Sequence, residues 1–383
     1  MKPRALPVFL AFFVMGFVDS VGALVGYARE QFHLSGAMAG LLPFFGFLAF
    51  AIVSVPAGIL AERRGKKLVL ALGLGLVVLG ELVPFASIDR YAYLLAAIFL
   101  IGVGMAVLQV AGNPIMRDVS APGKYAQYLT FAQFVKSLGS NLAPYLLPFV
   151  VTLGWGWTGV FPVFAAFAAL SLLFVVGLKV PESSRGGSPA GLGTSLSLLR
   201  DSRVAALVLG IFLYVGAEVG LNSWMATHLN RSFGMELVDA TRSLGLFLGG
   251  LAIGRLAGTA LLSFVSVHRL FLAMTVVGFV SVAGVMSPWK IVVLASVLVA
   301  GLAFSNVWPL AFAIAVEERP DRSGELSGLM CMAIFGGALL PLLMGQVADA
   351  VSVRAAFAVP LLCFAYLVLL ALGSQKRGVH AGA

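Results

Sequence analysis

Four charged side chains fall inside runs of apolar residues: Asp19, Lys136, Glu218 and Arg255. A charge held in hydrocarbon is costly, so such residues face a cavity or a partner and mark routes for ions and polar solutes. Asp19 stands beside Ser20 among glycines. It reads as a proton carrier, because burial opposes the charge of a carboxylate and a nearby cation favours it, and a moving cavity can alternate the two. A static ion pair or a hydrogen-bonded structural Asp is the plainer reading. Lys136, in Gln133-Phe134-Val135-Lys136, lies too deep in its run to snorkel. It can bind an anionic or hydroxyl-rich solute, act as the switching partner of Asp19, or form a permanent buried pair.

Glu218 follows Tyr214 by four residues and precedes Asn222 by four. That spacing puts all three on one helix face. They suit a solute contact or a second proton site, and an interhelical hydrogen-bond network would use them equally well. Arg255 follows Gly254 near the end of its run and reads as structural, reaching the membrane interface or pairing with an acid such as Asp349. The neutral polar set is Gln109, Asn113, Gln133, Asn141, Asn222 and Asn306, with aromatic faces at Tyr214, Trp224 and Trp308. Amides offer donors and acceptors together. With ring faces to stack on sugar C–H groups, the set points to a polar, neutral, hydroxyl-rich solute. Any one of these amides alone would read as glue between helices.

These residues need spans to hold them. The chain has 383 residues, 60% hydrophobic and 11% charged, against roughly 25% charged in soluble domains. Runs of about 20 apolar residues predict twelve spanning helices, centred near Gly16, Leu48, Leu76, Gly102, Leu138, Ala169, Gly216, Gly250, Val277, Ala303, Gly336 and Pro360. The apolar run after Lys2 and Arg4 continues past Asp19, which fits a retained first helix better than a cleaved leader. Residues 181–203 are rich in Gly, Ser and Pro and read as a flexible linker. The expected domains are residues 1–180, this linker and residues 204–383. With both termini cytoplasmic, seventeen of the 25 Lys and Arg residues fall on the inner side, six on the outer side and two within spans. That asymmetry supports an even number of spans. The net charge of +9 is spread over these loops, which argues against a nucleic-acid partner.

The halves echo each other. Asn113-Pro114 precedes the charged loop after span 4, and Asn306 with Pro309 precedes the one after span 10. Interrupted helices at matching places in two halves point to a midplane binding site. No nucleotide-binding loop, metal-ligand cluster or Ser-His-Asp arrangement occurs in the sequence. The expectation is therefore no enzyme, no cofactor, no metal, and no ATP-driven pump. Cys331 and Cys363 both lie in apolar runs and read as core residues.

Gly58-Ile59-Leu60-Ala61-Glu62-Arg63-Arg64-Gly65-Lys66-Lys67 resembles the loop signature of the major facilitator superfamily, with Glu62 in the place of an Asp. Leu108–Pro114, Phe131–Ser137, Tyr214–Glu218, Gly254-Arg255 with Gly258-Thr259, and Phe13 with Asp19 are similar to the fucose–galactose–glucose proton symporter family. The resemblance implies an all-α fold of two pseudo-symmetric six-helix bundles in the cytoplasmic (inner) membrane, rocking to give alternating access, and sugar carried by a proton gradient. From the polar and charged residues above, the expected substrate contacts are Gln109, Asn113, Gln133, Lys136, Tyr214, Asn222, Asn306 and Trp308, with proton coupling at Asp19 and Glu218. Gly58, Glu62, Arg63, Gly65 and Lys66, with Asp349 of the partial echo Gly345–Asp349, are expected to form a cytoplasmic latch between the halves. The protein is expected to be a monomer in the lipid bilayer.

The chain departs from that family at three points. Gln109 stands where the family carries an acid, Asp19 lies slightly early, and Lys136 replaces an Asn. A sugar-acid or organic-anion carrier with Lys136 as carboxylate receptor, a uniporter, a sodium-coupled carrier and a drug exporter are the alternatives.

Overall fold

The computed structural model describes residues 5–17, 21–86, 88–178 and 191–378, and all the regular structure in these segments is helical. Ten of its helices are long and apolar enough to cross a membrane. The expected first and fifth spans fall outside that set. The first is represented by α1 (Leu6–Met15) and α2 (Val21–Gln31), and the fifth by α6 (Tyr125–Thr152), 28 residues long and richer in polar groups. Asp19 lies outside the described residues.

Two compact units emerge. One comprises Met1–Leu199 together with Arg319–Met332, and the other comprises Arg200–Glu318 together with Ala333–Ala383. The first unit begins with α1 and α2, followed by α3 (Gly36–Arg64), α4 (Lys66–Ala86), α5 (Tyr91–Val119), α6, α7 (Val160–Val176) and α8 (Leu192–Ser197). The second holds α9 (Ser202–Phe233), α10 (Leu237–Arg242), α11 (Leu244–Leu261), α12 (Val267–Val285) and α13 (Lys290–Glu318). The chain then returns to the first unit as α14 (Ser323–Met332). A short 3₁₀ turn, Ala333–Phe335, leads into α15 (Gly336–Ala350), α16 (Val353–Ala356) and α17 (Ala358–Gly378) of the second.

Each unit is built around one helix that is buried on every side. Residues Gly104 to Met116 of α5 are all buried, as are Ala303 to Val316 of α13. A helix with no polar face belongs at the centre of a bundle. These two helices are the ones that carry the Asn-Pro echo.

α3 and α4 are separated by a single residue, Gly65, whose φ of +96° lies in the region that favours glycine. One residue is enough to reverse the chain because Gly65 N–H still caps α3 on Ala61 O at 3.0 Å. Farther up α3, Gly58 lets α14 come into backbone contact. A Cβ there would stand 2.5 Å from Gly324 O and 3.0 Å from Gly328 Cα. Small residues on both sides are what bring membrane helices this close.

The segment read as a flexible linker is partly helical. Gly191 N–H donates to Thr194 Oγ1 at 2.6 Å, opening α8. The hydroxyl-rich stretch Thr194-Ser195 that made it look like a coil supplies both the cap and the contacts described below. Gly58→Val is expected to destabilise the purified protein by about 1–3 kcal/mol through overpacking. Gly75→Ala, where a Cβ meets nothing within 4 Å, should be neutral or stabilising. Thermal unfolding of the two variants in one detergent checks this.

Candidate functional site

In the first unit the polar side chains gather on α5 and α6. Gln109 and Asn113 are both buried. Asn113 Nδ2 donates to Cys331 Sγ of α14 at 3.9 Å, and Tyr125 Oη donates to Asn113 O at 3.0 Å. Asn113 Oδ1 has no partner among the described residues. Pro114 has no N–H, so the carbonyl four residues earlier, Val110, loses its helical donor. Ser327 Oγ of α14 donates to Val110 O at 2.7 Å and replaces it.

On α6, Gln133 is buried and Lys136 half-buried. Their carbonyls accept from Ser137 Oγ at 3.0 Å and Ser140 Oγ at 3.2 Å, and Asn141 Nδ2 donates to Ser137 O at 2.8 Å. This run of hydroxyl and amide groups on one flank of α6 gives it its polarity. Ser327→Ala should cost about 1–3 kcal/mol by stranding the Val110 carbonyl, read as a drop in melting temperature.

In the second unit Glu218 Oε1 and Arg255 Nη2 stand 3.9 Å apart, with side chains 22% and 14% exposed. Arg255 was expected to reach the interface or Asp349; its acid is Glu218 instead. The pair is long and partly solvated, so its attraction is modest. Tyr214 is buried and its hydroxyl donates to Phe304 O at 2.9 Å. Asn306 Nδ2 donates to Gly254 O at 2.8 Å and to Ser305 Oγ at 2.7 Å, while Asn306 Oδ1 and Asn222 Oδ1 have no partner among the described residues. Trp308 is buried and stacked on Phe312 at 4.9 Å, and Trp224 Nε1 donates to Pro341 O at 3.1 Å.

The charged loop builds a second cluster, within the first unit. Glu62 Oε2 accepts from Gly324 N–H at 2.9 Å, a carboxylate at the head of α14 where helix polarity favours an anion. Lys66 Nζ meets Asp118 Oδ2 at 2.8 Å, both side chains nearly fully buried. Glu325 is buried and joins three groups. Its Oε1 accepts from Thr194 Oγ1 and Ser195 Oγ, each at 2.9 Å, and its Oε2 from Arg322 Nε at 2.7 Å. Arg322 Nη2 also donates to Thr194 O at 2.6 Å. α8 is thereby tied to the head of α14.

Asp349, the remaining residue of the expected latch, lies in the second unit, at the end of α15.

Sequence reasoning missed Asp118, Glu325, Arg322, Thr194, Ser195, Ser327 and Glu81. Glu81 is buried in α4, with Oε2 lacking a partner among the described residues. The one available signal was the carboxylate of Glu325 in the first turn of a helix.

The all-helical units and long apolar spans define a polytopic membrane protein. The family model of the Major Facilitator Superfamily matches residues 8–330, and the chain belongs to that family. A glucose/galactose transporter of Brucella abortus is 31% identical over 390 residues, covering 96% of this chain and 93% of its own length. The L-fucose-proton symporter of Escherichia coli is 25% identical, covering 90% and 86%. The crystal structure of the transporter FucP in its outward conformation superposes with a TM-score of 0.86 at 24% identity, covering 97% of this chain and 98% of that one. The resemblance read in the sequence is thus borne out, and the chain is a multi-pass protein of the cytoplasmic (inner) membrane.

Lys66→Met is expected to destabilise by about 3–5 kcal/mol, because it leaves Asp118 buried without its cation. Lys66→Met with Asp118→Leu should recover most of that, as measured by chemical denaturation.

Proposed function

We propose that this chain carries a monosaccharide-like solute across the membrane by alternating access, driven by proton symport. The observation that carries the reading is a set of buried amide oxygens with no partner among the described residues: Asn113 in one unit, Asn222 and Asn306 in the other. A buried amide oxygen lacking a donor costs stability, and a hydroxyl-rich solute would supply the donor. In the first unit Gln109, Asn113, Gln133 and Lys136 are the proposed solute contacts; in the second they are Tyr214, Asn222, Asn306 and Trp308. The sugar-transporting names of the Brucella and Escherichia relatives support the substrate class.

For coupling, Glu218 is the proposed proton carrier of the second unit and Asp19 that of the first. The Glu218–Arg255 separation of 3.9 Å suits an exchangeable pair, since Arg255 can compensate the carboxylate in one state and release it in another. A second reading, a sugar-acid carrier, draws on Lys136, a half-buried cation on α6. The protein is proposed to work as a monomer with its charged loop at the cytoplasmic face.

The test is uptake of radiolabelled glucose, galactose and L-fucose into proteoliposomes, with and without an inward proton gradient. One of these sugars should accumulate only with the gradient. Glu218→Gln should abolish accumulation while leaving sugar exchange. Uptake indifferent to the gradient would sink the coupling claim. If Lys136→Gln reduces galacturonate uptake about ten-fold and spares the neutral sugars, the anion reading replaces the neutral one.

A further inference from the structure

Glu81 differs from the other interior acids of the first unit. Glu62 and Glu325 accept hydrogen bonds from named donors, and Asp118 holds Lys66. Glu81 is 2% exposed, and its Oε2 has no partner among the described residues. A carboxyl kept as glue between helices would have both oxygens hydrogen-bonded. This one serves no such purpose.

Its surroundings supply no counter-charge. α4 packs on α5 and α7, and more lightly on α3 and on the turn Trp157–Gly159. α7 and that turn contain no charged or titratable residue. α4 and α5 run antiparallel, since a Cβ on Gly73 would meet Leu108 and one on Gly80 would meet Ile101. Glu81 is therefore level with Ile101. The charges of α5, Arg117 and Asp118, lie four turns beyond that level, roughly 24 Å by helix rise. Its tyrosines lie the other way: Tyr91 Oη donates to Met38 O at 2.6 Å, and Tyr93 is exposed. The charges of α3, namely Glu62, Arg63 and Arg64, stand at the end joined through Gly65 to Lys66 and Lys67 of α4, roughly 20 Å of rise before Glu81. Asp89 and Arg90, past the other end of α4, are exposed. An anion at Glu81 would have neither water nor a cation, so the carboxyl holds its proton.

The end of the helix provides a route to solvent. Pro84 has no N–H, so the Gly80 carbonyl beside Glu81 loses its helical donor. From Glu81 to the end of α4 at Ala86 is roughly 8 Å of rise. A terminal turn short of a backbone bond opens more readily than the rest of its helix.

We propose that Glu81 is a proton-binding site of the first unit: a carboxylic acid that keeps its proton in this conformation and exchanges it with solvent through the last turn of α4. Its part in transport rests on the proton-symport reading above; its protonation and exchange do not.

Infrared spectra of the full chain in liposomes, parent against Glu81→Gln, test the protonation. At neutral pH the parent should show a protonated-carboxyl absorption that the variant lacks, and transfer to heavy water should shift it. Identical spectra would mean an ionised Glu81, and an absorption that heavy water never shifts would mean a sealed acid; either overturns the proposal. Dicyclohexylcarbodiimide adds to a protonated carboxyl in apolar surroundings, and after acyl shift to nitrogen the whole reagent stays attached as an N-acylurea. It should label the Glu81 peptide of the parent protein, and an unlabelled peptide overturns the proposal even where the variant fails to fold. The role in transport is read as the ratio of gradient-driven sugar accumulation to sugar exchange, which should fall about ten-fold in Glu81→Gln. An unchanged ratio in a variant that melts close to the parent removes Glu81 from coupling. If the parent itself ignores the gradient, the symport reading falls, and the infrared and labelling results still decide whether Glu81 binds an exchangeable proton.

Discussion

Hydrocarbon offers no hydrogen-bond partner to a backbone amide, and most of this molecule follows from that constraint. Every group must be satisfied within the chain, so the spans are helices. Wherever a helix is interrupted, another element must supply what is lost. Pro114 makes the point. It sits in the all-buried stretch of α5 and orphans the Val110 carbonyl, and Ser327 of α14 donates to it. The same demand draws Glu62 to the Gly324 amide at the head of α14. These two bonds, with the glycine-on-glycine approach at Gly58, make α14 part of the first unit although it is continuous in sequence with α15 of the second.

Interior charges obey the same accounting. Lys66 and Asp118 form a short, dry pair, and Glu325 is surrounded by Thr194, Ser195 and Arg322. Such fully partnered groups are scaffold, since disturbing either member leaves a buried charge. Glu218 and Arg255 differ: their pair is longer and wetter. The amides of Asn113, Asn222 and Asn306 differ too, each holding one oxygen in reserve. The contrast between satisfied and unsatisfied polar groups separates what holds the fold from what can meet a solute, and it is visible only once the partners are in place.

Much of the fold was legible beforehand. Hydropathy locates spans because a 20-residue apolar run has few uses outside a bilayer, and the charged hairpin at Gly58–Lys67 identified the superfamily. The candidate site was less legible. Lys136, Glu218 and Arg255 stood out because charges in apolar runs are rare, but their partners did not. Arg255 was matched to the wrong acid, since periodicity gives the face of a helix and not the neighbour that face meets. The segment at Thr194-Ser195 looked like linker because Ser, Thr and Gly favour coil in isolation; a buried glutamate 130 residues away makes it a docked helix.

By itself, then, the sequence determined the membrane environment, the helical class, the superfamily and which residues carry interior polarity. All of these depend on local composition and on spacing along one helix. Only the tertiary structure decided which acid answers which cation, that α14 joins the first unit, that α8 is tied down through Glu325, and that a pocket of about 440 Å³ lies between α9, α12, α13 and α17. Each of these depends on side chains distant in sequence arriving within about 3–4 Å of one another, the range over which hydrogen bonds and packing act. Only the folded chain specifies such distances.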